Sequence, residues 1–391
     1  AAAWEPGMPR KEQPLHDAMR LFDERFQDTK DTIVVIDEIQ DSAKVYSLIR
    51  QFAREFSCDF IITGSYLGKT LSREYFQPVG DLDIMILDTL TFEEFLDAEG
   101  KRDLYNSVDL YGKSSHEAYD ELKRYYDLYC QIGGYPAVVK TYLETRDMEI
   151  CQTELDRVIH IFTEESQGYF DNVLDINLFG QLLPAVAQTM IREKKGSVDL
   201  ITELSKIVYK QESSRLSKKS INQAIAWLYR SHILDFCGKA NDCNPTDISA
   251  NSRFYFLDVG VCRSFLDMAG ADLPTLRGIV NENFVYIDLL KRVRSRKISG
   301  TAPIFGLYKE GEIDFLVNSR ENYKTYGVEV KSGKTEGKTA QLLLKDEKVE
   351  AVYFLKGDTY GGIADRKVTV PIYLVGRMQF DFVKEHTPVS S

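Results

Sequence analysis

The sequence of 391 residues predicts an α/β protein with more than one domain, from three observations. Two short apolar runs, at residues 33–36 and 60–62, flank a segment with helical spacing. Segments with helical periodicity fill the middle of the chain. Apolar residues at 312–317 and 326–331 follow the pattern of two β-strands. A chain of this length is expected to hold two or three domains.

The first apolar run consists of four consecutive β-branched residues, which is typical of a strand buried on both faces. Asp37 and Glu38 follow at once. The carboxyl ends of strands line the ligand crevice of an open α/β sheet. There Asp37 would hold a magnesium ion or its water, and Glu38 would polarise an attacking water. The alternative is a buried strand that ends in a solvated turn.

The second run completes a strand, helix, strand order, which predicts a parallel βαβ unit. The segment between, residues 42–57, has apolar residues along one helical face. Ser65 follows the second strand. Because parallel strands end at the same edge of a sheet, we expect Ser65 beside Asp37.

These segments, which read IVVIDEIQ, IITGS and LTFEEFL, resemble the prokaryotic AAA-type ATPase family that carries a C-terminal domain of unknown function. The resemblance implies a P-loop ATPase-like parallel sheet, with Asp37 and Glu38 as Walker B and Ser65 as the sensor residue. The Walker A pattern GxxxxGK[ST] does not occur in the sequence, and the run at 64–70 is one residue too short. We therefore expect a truncated domain that binds ATP weakly or not at all, since P-loop amides and lysine supply most of the phosphate affinity.

Composition limits the environment and the partners. The net charge of −11 gives no global attraction to nucleic acid, so binding to DNA needs a local basic patch. The six cysteines form no CxxC pair, which favours a reducing, cytoplasmic location. No run of 18 apolar residues is present, so we expect no membrane partner.

The middle of the chain is predicted to be helical. Residues 117–146 are expected to form a helical pair interrupted at Gly133-Gly134-Tyr135-Pro136, because glycine ends helices and proline begins them. The Gly-Gly-x-Pro element resembles the lid that follows the ATPase core in the same family. Helices are expected to continue over 149–192.

Residues 197–260 follow the order of a winged helix, with two helices and then two strands at 233–236 and 254–257. The second helix is the one that would enter a DNA major groove. The alternative is a module that packs against protein, with its charges solvated. The candidate DNA contacts are Lys218, Lys219, Asn222, Gln223 and Arg230.

The C-terminal strands carry the strongest chemical pattern. Glu329 and Lys331 are two residues apart, so they share one face of a strand. If the strands form a hairpin, Asp314 meets Glu329 on that face. Two close carboxylates repel, and Mg²⁺ bound by Asp314 and Glu329 would remove that cost. A lysine with a lowered pKa could deprotonate a water there.

This D…E-x-K arrangement resembles the PD-(D/E)xK nuclease superfamily. The resemblance implies catalytic roles for Asp314, Glu329 and Lys331, and for Glu282, which is expected at the start of a helix. The basic run at 291–297, with Arg292 and Arg294, is a candidate contact to the DNA backbone. The alternative is a surface hairpin whose charges are paired or solvated.

The predicted organisation has three parts: a truncated AAA/P-loop ATPase-like domain at 1–97, a helical lid region with a winged helix at 98–270, and a restriction-endonuclease-like α/β domain at 271–391. We expect a protein with a degenerate nucleotide site that acts on or binds nucleic acid with Mg²⁺. The alternative is a non-catalytic, nucleotide-responsive regulator that binds DNA or protein.

Overall fold

The computed structural model describes residues 14–64, 83–170, 178–192, 200–211, 218–331 and 337–382. Two compact units are present, residues 1–86 and 87–391. The predicted three-part division stays a prediction. Among the described residues, no helix has the length and apolar content needed to cross a membrane.

The described part of the first unit is a parallel βαβ unit with a preceding helix. Its elements are α1 (Pro14–Phe22), β1 (Ile33–Ile36), α2 (Ala43–Ser47), α3 (Ile49–Glu55) and β2 (Asp59–Ile62). The strands β1 and β2 pair in parallel, from Ile33 with Asp59 to Ile36 with Ile62. The predicted strand, helix, strand order is therefore confirmed, with the helical segment divided at Leu48.

The expectation that β1 is buried on both faces is wrong for the described residues. Ile36 and Ile62 pack against a cluster on the helical side that includes Ile39 and Tyr46. Ile33 and Val35 point to the other face and are 59% and 63% exposed. A buried strand and a half-exposed one carry the same β-branched residues, so the composition of the run does not separate them.

The second unit contains a helical layer and one large sheet. Its helices are α4 (Phe92–Ala98), α5 (Arg102–Ser107), α6 (His116–Ile132), α7 (Pro136–Thr145), α8 (Met148–Phe170), α9 (Leu178–Arg192), α10 (Leu200–Gln211), α11 (Lys218–Arg230), α12 (Val259–Met268), α13 (Leu273–Arg294) and α14 (Lys338–Lys345). The predicted break between α6 and α7 is confirmed. Gly133 has a φ of +74° there, and a side chain at Gly134 would clash with the carbonyl of Leu90.

The sheet of the second unit has eight strands, in the order β4-β3-β5-β6-β7-β8-β10-β9. The strands are β3 (Leu234–Ala240), β4 (Ile248–Phe256), β5 (Ile304–Tyr308), β6 (Gly311–Asn318), β7 (Thr325–Lys331), β8 (Val352–Lys356), β9 (Gly362–Ala364) and β10 (Lys367–Pro371). The pairs β3–β4, β5–β6 and β6–β7 are antiparallel, whereas β3–β5 and β7–β8 are parallel.

The strands expected to form a wing belong to this sheet. They are β3 and β4, and β3 pairs in parallel with β5 through Gly238 and Ile304. A strand that has one antiparallel neighbour still has a free edge for a second neighbour, and the sequence does not reveal whether that edge is used. The two strands therefore join the predicted middle and C-terminal parts in one structure.

Helix α13 is fixed against β4 by polar and aromatic contacts. The side chain of Asn283, which is fully buried, accepts from the backbone N–H of Phe256 and donates to its carbonyl. One turn later, Tyr286 stacks on Tyr255 with ring centroids 4.0 Å apart. These contacts fix the rotation of α13 and place Glu282 next to β4.

Candidate functional site in the central sheet

The β6–β7 hairpin brings Asp314 and Glu329 together. Phe315 pairs with Val328, so Asp314 and Glu329 are opposite each other at the next position along the two strands, with side chains on one face. The backbone N–H of Val330 donates to Asp314 Oδ2 at 2.6 Å. The two carboxylates predicted to share a face therefore do so.

Glu329 is the most buried acid of this group, with a side chain only 4% exposed. Its Oε1 lies 2.6 Å from Lys331 Nζ. Its Oε2 is buried and has no hydrogen-bond partner among the described residues. Gly337 lies against Oε1, where an added Cβ would be 2.7 Å away. A buried carboxylate oxygen without a donor is costly, so this atom is open to a cation or a water.

The site is short of positive charge. Burial raises the pKa of Asp314 well above its usual value, and the charges of Glu329 and Glu282 raise it further. Burial also raises the pKa of Glu329, although Lys331 opposes this effect. Both pKa shifts show that the protein gives the ionised carboxylates too little positive charge and too few hydrogen-bond donors to offset their burial.

Lys331 is a charged ammonium in this setting. Burial opposes its charge, but the carboxylates of Asp314 and Glu329 outweigh burial, so the pKa of Lys331 is raised. The sequence-based idea of a lysine with a lowered pKa is therefore not met. The two acids that bring the lysine into the site are the reason, because each of them favours its protonated form.

Glu282 lies at the edge of the site and is held by a group that the sequence did not indicate. It is in the middle of α13 rather than at the start of a helix. Its Oε1 accepts from the hydroxyl of Tyr255 and lies 3.4 Å from Arg253 Nη1. Arg253 Nη2 lies 2.9 Å from Glu312 Oε2. Arg253, Tyr255 and Glu312 thus form one network with Glu282, and the charge of Glu282 acts on Asp314, Glu329 and Lys331 through space.

Only part of this network had a signal in the sequence. Glu312 precedes Asp314 by two residues on β6, so period-2 alternation places it on the same face. Arg253 and Tyr255 lie on β4, whose place in the sheet depends on long-range pairing.

The residues fit a magnesium ion at Asp314 and Glu329. Four carboxylates, Glu282, Glu312, Asp314 and Glu329, face two cations, Arg253 and Lys331, so with all four acids ionised the group would have two more negative than positive charges. Mg²⁺ binds proteins through one or two carboxylates and keeps several waters. Among the residues that the structure describes, no three His, Cys, Asp or Glu side chains are arranged around one ion position. A site in which only Asp314 and Glu329 bind the ion agrees with the usual coordination of Mg²⁺ and with the lack of a three-ligand group among the described residues.

The predicted DNA contacts of α11 lie on its solvent side. Ile221, Ala224, Ile225 and Leu228 are buried. Lys218 donates to Thr202 Oγ1 at 2.6 Å. The other candidates, Lys219, Asn222, Gln223 and Arg230, are exposed. The amphipathic pattern placed these side chains on one outward face, and their contact with DNA stays a prediction.

The two arginines of the 291–297 run have structural partners instead. Arg292 is 12% exposed and donates to Asp288 and to the carbonyls of Met378 and Val375. Arg294 forms a two-oxygen contact with Asp88 at 2.8 and 2.9 Å. The donors of Arg292 and Nη1 of Arg294 are used in this way, and contact of these two arginines with DNA stays a prediction.

The acidic pair of the first unit is engaged locally. Thr63 Oγ1 and the backbone N–H of Glu38 both donate to Asp37 Oδ1. Glu38 has a φ of 50° and contacts the Gln40 amide. Ser65, expected beside Asp37, lies outside the described residues. Thr63 is thus the described polar residue that touches Asp37 from the end of β2.

Comparison with known families gives two matches, each to less than half of the chain. Residues 123–272 match a domain of unknown function, DUF8612. This match includes Arg253 and Tyr255 and ends before Glu282. No protein in the curated collection matches. Residues 8–96 match a family described as an AAA domain, so the N-terminal part of this α/β chain is similar to an AAA-type ATPase domain.

Proposed function

We propose that the chain is a magnesium-dependent enzyme that acts on nucleic acid, with its reaction centre at Asp314, Glu329 and Lys331. The observation that carries the proposal is the buried Glu329 Oε2, which has no hydrogen-bond partner among the described residues and lies beside Asp314 on the same face. An uncompensated carboxylate pair of this kind is stabilised by a divalent cation.

Asp314 and Glu329 would hold the ion, which when bound supplies charge neutralisation at a phosphate and a more acidic water. The protein's own contribution is orientation. The Val330 N–H fixes one oxygen of Asp314, which leaves Oδ1 for a ligand. Lys331 fixes one oxygen of Glu329 in the same way and leaves Oε2. The two remaining oxygens belong to facing residues of adjacent strands.

Lys331 would act as a cation rather than as a base. In the metal-free protein, burial lowers the pKa of Lys331 but Asp314 and Glu329 raise it by more, which favours the ammonium. Its side chain is 35% exposed, so it can reach a bound phosphate while it contacts Glu329. A fixed positive charge beside a reacting phosphate stabilises the negative charge that develops there.

The nucleic-acid substrate class rests on phosphate chemistry and on α11. The exposed Lys219 and Arg230 provide positive charge on a chain whose net charge is −11. Such a local patch is the means by which an acidic protein can contact a polyanion. We further propose that residues 1–391 by themselves do not hydrolyse ATP, since they contain no GxxxxGK[ST] pattern and Asp37 is bound by Thr63.

Incubation of the purified chain with labelled single-stranded DNA, duplex DNA and RNA tests the proposal. Cleavage is expected with Mg²⁺ or Mn²⁺, and it should stop with chelator and in Asp314→Asn. Asp365→Asn is the matched control, because Asp365 is exposed and lies in a turn outside the site. Equal cleavage by wild type and Asp314→Asn would mean that the observed activity comes from elsewhere.

A second candidate function is a regulator that binds DNA or protein without cutting nucleic acid. The polar outward face of α11 favours it, because that face does not depend on the metal site. Salt-dependent DNA binding in the absence of any cleavage would support this alternative. If the protein neither binds DNA nor cleaves nucleic acid, a regulator that binds DNA is ruled out.

A further inference from the structure

We propose that Arg253 occupies the place of a second divalent cation, so that the site takes one metal ion rather than two. This inference rests on the proposed metal centre and deepens it. The observation that carries it is the guanidinium bridge between two acids on different elements. Arg253 Nη1 lies 3.4 Å from Glu282 Oε1 on α13, and Nη2 lies 2.9 Å from Glu312 Oε2 on β6.

The bridge is fixed from several sides. The Arg253 side chain is only 8% exposed, and its guanidinium carbon lies 3.9 Å from the centroid of the Phe305 ring. The Tyr255 hydroxyl, two residues along β4, donates to the same Glu282 oxygen. A planar guanidinium suits contacts of this sort because its donors have fixed directions and its charge is permanent.

The bridge divides the four acids into two pairs. Glu282 and Glu312 share one cation that belongs to the protein, the Arg253 guanidinium. Asp314 and Glu329 retain only Lys331, which contacts Glu329. Within the described part of the chain, no three metal-binding side chains surround one point, as expected if Glu282 is turned toward Arg253. With all four acids ionised, each pair keeps one negative charge, and a single divalent ion at Asp314 and Glu329 balances the total.

Removal of the guanidinium should open a second cation site. Without Arg253, Glu282 and Glu312 would be two close, partly buried carboxylates with no cation between them, which is the condition that a divalent ion relieves. Arg253→Gln keeps a polar side chain of similar length and removes the charge. Arg253→Lys keeps the charge and serves as the conservative control.

The test counts bound Mn²⁺ by electron paramagnetic resonance of the free ion during titration of each protein. We expect about one ion per chain in wild type and in Arg253→Lys, and about two in Arg253→Gln. Glu312→Gln should leave the wild-type count unchanged but return Arg253→Gln to about one ion. No increase in folded Arg253→Gln would overturn the inference.

Two further results keep the inference separate from the proposed function and from folding. If wild type binds no ion while Arg253→Gln gains one that Glu312→Gln removes, the proposed centre fails and the role of Arg253 stands. If wild type binds one ion that Asp314→Asn removes and Arg253→Gln gains none, the proposed metal centre stands and the role of Arg253 fails. If Arg253→Gln does not fold, the ion count of the wild-type protein tests the inference. Two ions bound by wild type, one of which is lost in Glu312→Gln, would overturn it.

Discussion

Asp314 and Glu329 face each other across two antiparallel strands, and each has one oxygen held by a donor on β7. Val330 holds Asp314 through its backbone, and Lys331 holds Glu329 through its side chain. The donors are thus supplied by the same strand that carries Glu329. The remaining buried oxygen of Glu329, Oε2, has no hydrogen-bond partner among the described residues.

Replacement of Asp314 by Asn should remove stabilisation by magnesium. Mg²⁺ at about 100 times its dissociation constant should add roughly 2.7 kcal/mol to the wild-type free energy of unfolding. Asp314→Asn should gain almost nothing from the ion. It should be at least as stable as wild type without metal, because the amide oxygen can still accept from Val330 and the repulsion with Glu329 is gone. Thermal unfolding with Mg²⁺ and with chelator measures both effects.

The control for this prediction is Asp365→Asn, which removes an exposed carboxylate away from the hairpin and should respond to Mg²⁺ as wild type does. Magnesium stabilisation of the same size in Asp314→Asn would count against an ion at this acid.

Lys331→Met should lower metal-dependent cleavage by about 100-fold, the size typical of losing a charged group that stabilises a transition state. Lys331→Arg should retain more activity than Lys331→Met, because the required property is positive charge. The role of Lys331 as a fixed cation also predicts no gain in wild-type rate from its deprotonation between pH 7 and 9. Rates measured over that range test this.

A general base would behave in the opposite way. In that case Lys331→Arg would be as inactive as Lys331→Met, and the wild-type rate would rise with pH as the ammonium lost its proton. Those two results together would contradict the role of Lys331 as a fixed cation.

The outward face of α11 predicts binding to DNA that weakens with salt. Each phosphate neutralised contributes a slope of about −0.9 in log K against log salt for duplex DNA. Lys219→Glu with Arg230→Glu should weaken binding and flatten the slope by roughly 2. Lys140→Glu on α7 is the control for a charge reversal at an exposed lysine, and it should leave the slope unchanged. Binding that is equally strong in the double variant would exclude this face as the DNA contact.

Magnesium ATP should not stabilise the chain. Because residues 1–391 contain no GxxxxGK[ST] pattern, millimolar Mg-ATP is expected to leave their unfolding temperature unchanged, whereas a ligand at about 100 times its dissociation constant would raise it by several degrees. Asp37 already accepts from Thr63 and from the Glu38 backbone. A clear shift that disappears in Asp37→Asn would show that the first unit does bind nucleotide.

Local patterns in the sequence predicted the hairpin and its shared face. Asp314, Glu329 and Lys331 lie where period-2 alternation and a short turn put them, since both are properties of neighbouring residues. The helices around Gly133 and the parallel pairing of β1 with β2 were predicted for the same reason.

Long-range packing determined what the sequence could not indicate. Arg253 reaches the site because β3 pairs with β5, a contact between residues more than 60 positions apart. Arg292 has a basic side chain, yet backbone carbonyls near the C-terminus use its donors. Ile33 and Val35 are exposed because, among the described residues, helices pack on the opposite face of β1. In each case the partner is distant in sequence, so no local pattern contains the information.

The most direct measurement is anomalous diffraction from crystals of the protein grown or soaked with Mn²⁺. We predict one strong peak between Asp314 Oδ1 and Glu329 Oε2, at roughly 2.0–2.3 Å from each oxygen. The peak should be absent from Asp314→Asn crystals treated in the same way. A fully occupied Mn²⁺ position elsewhere, with none at these two oxygens, would contradict the account.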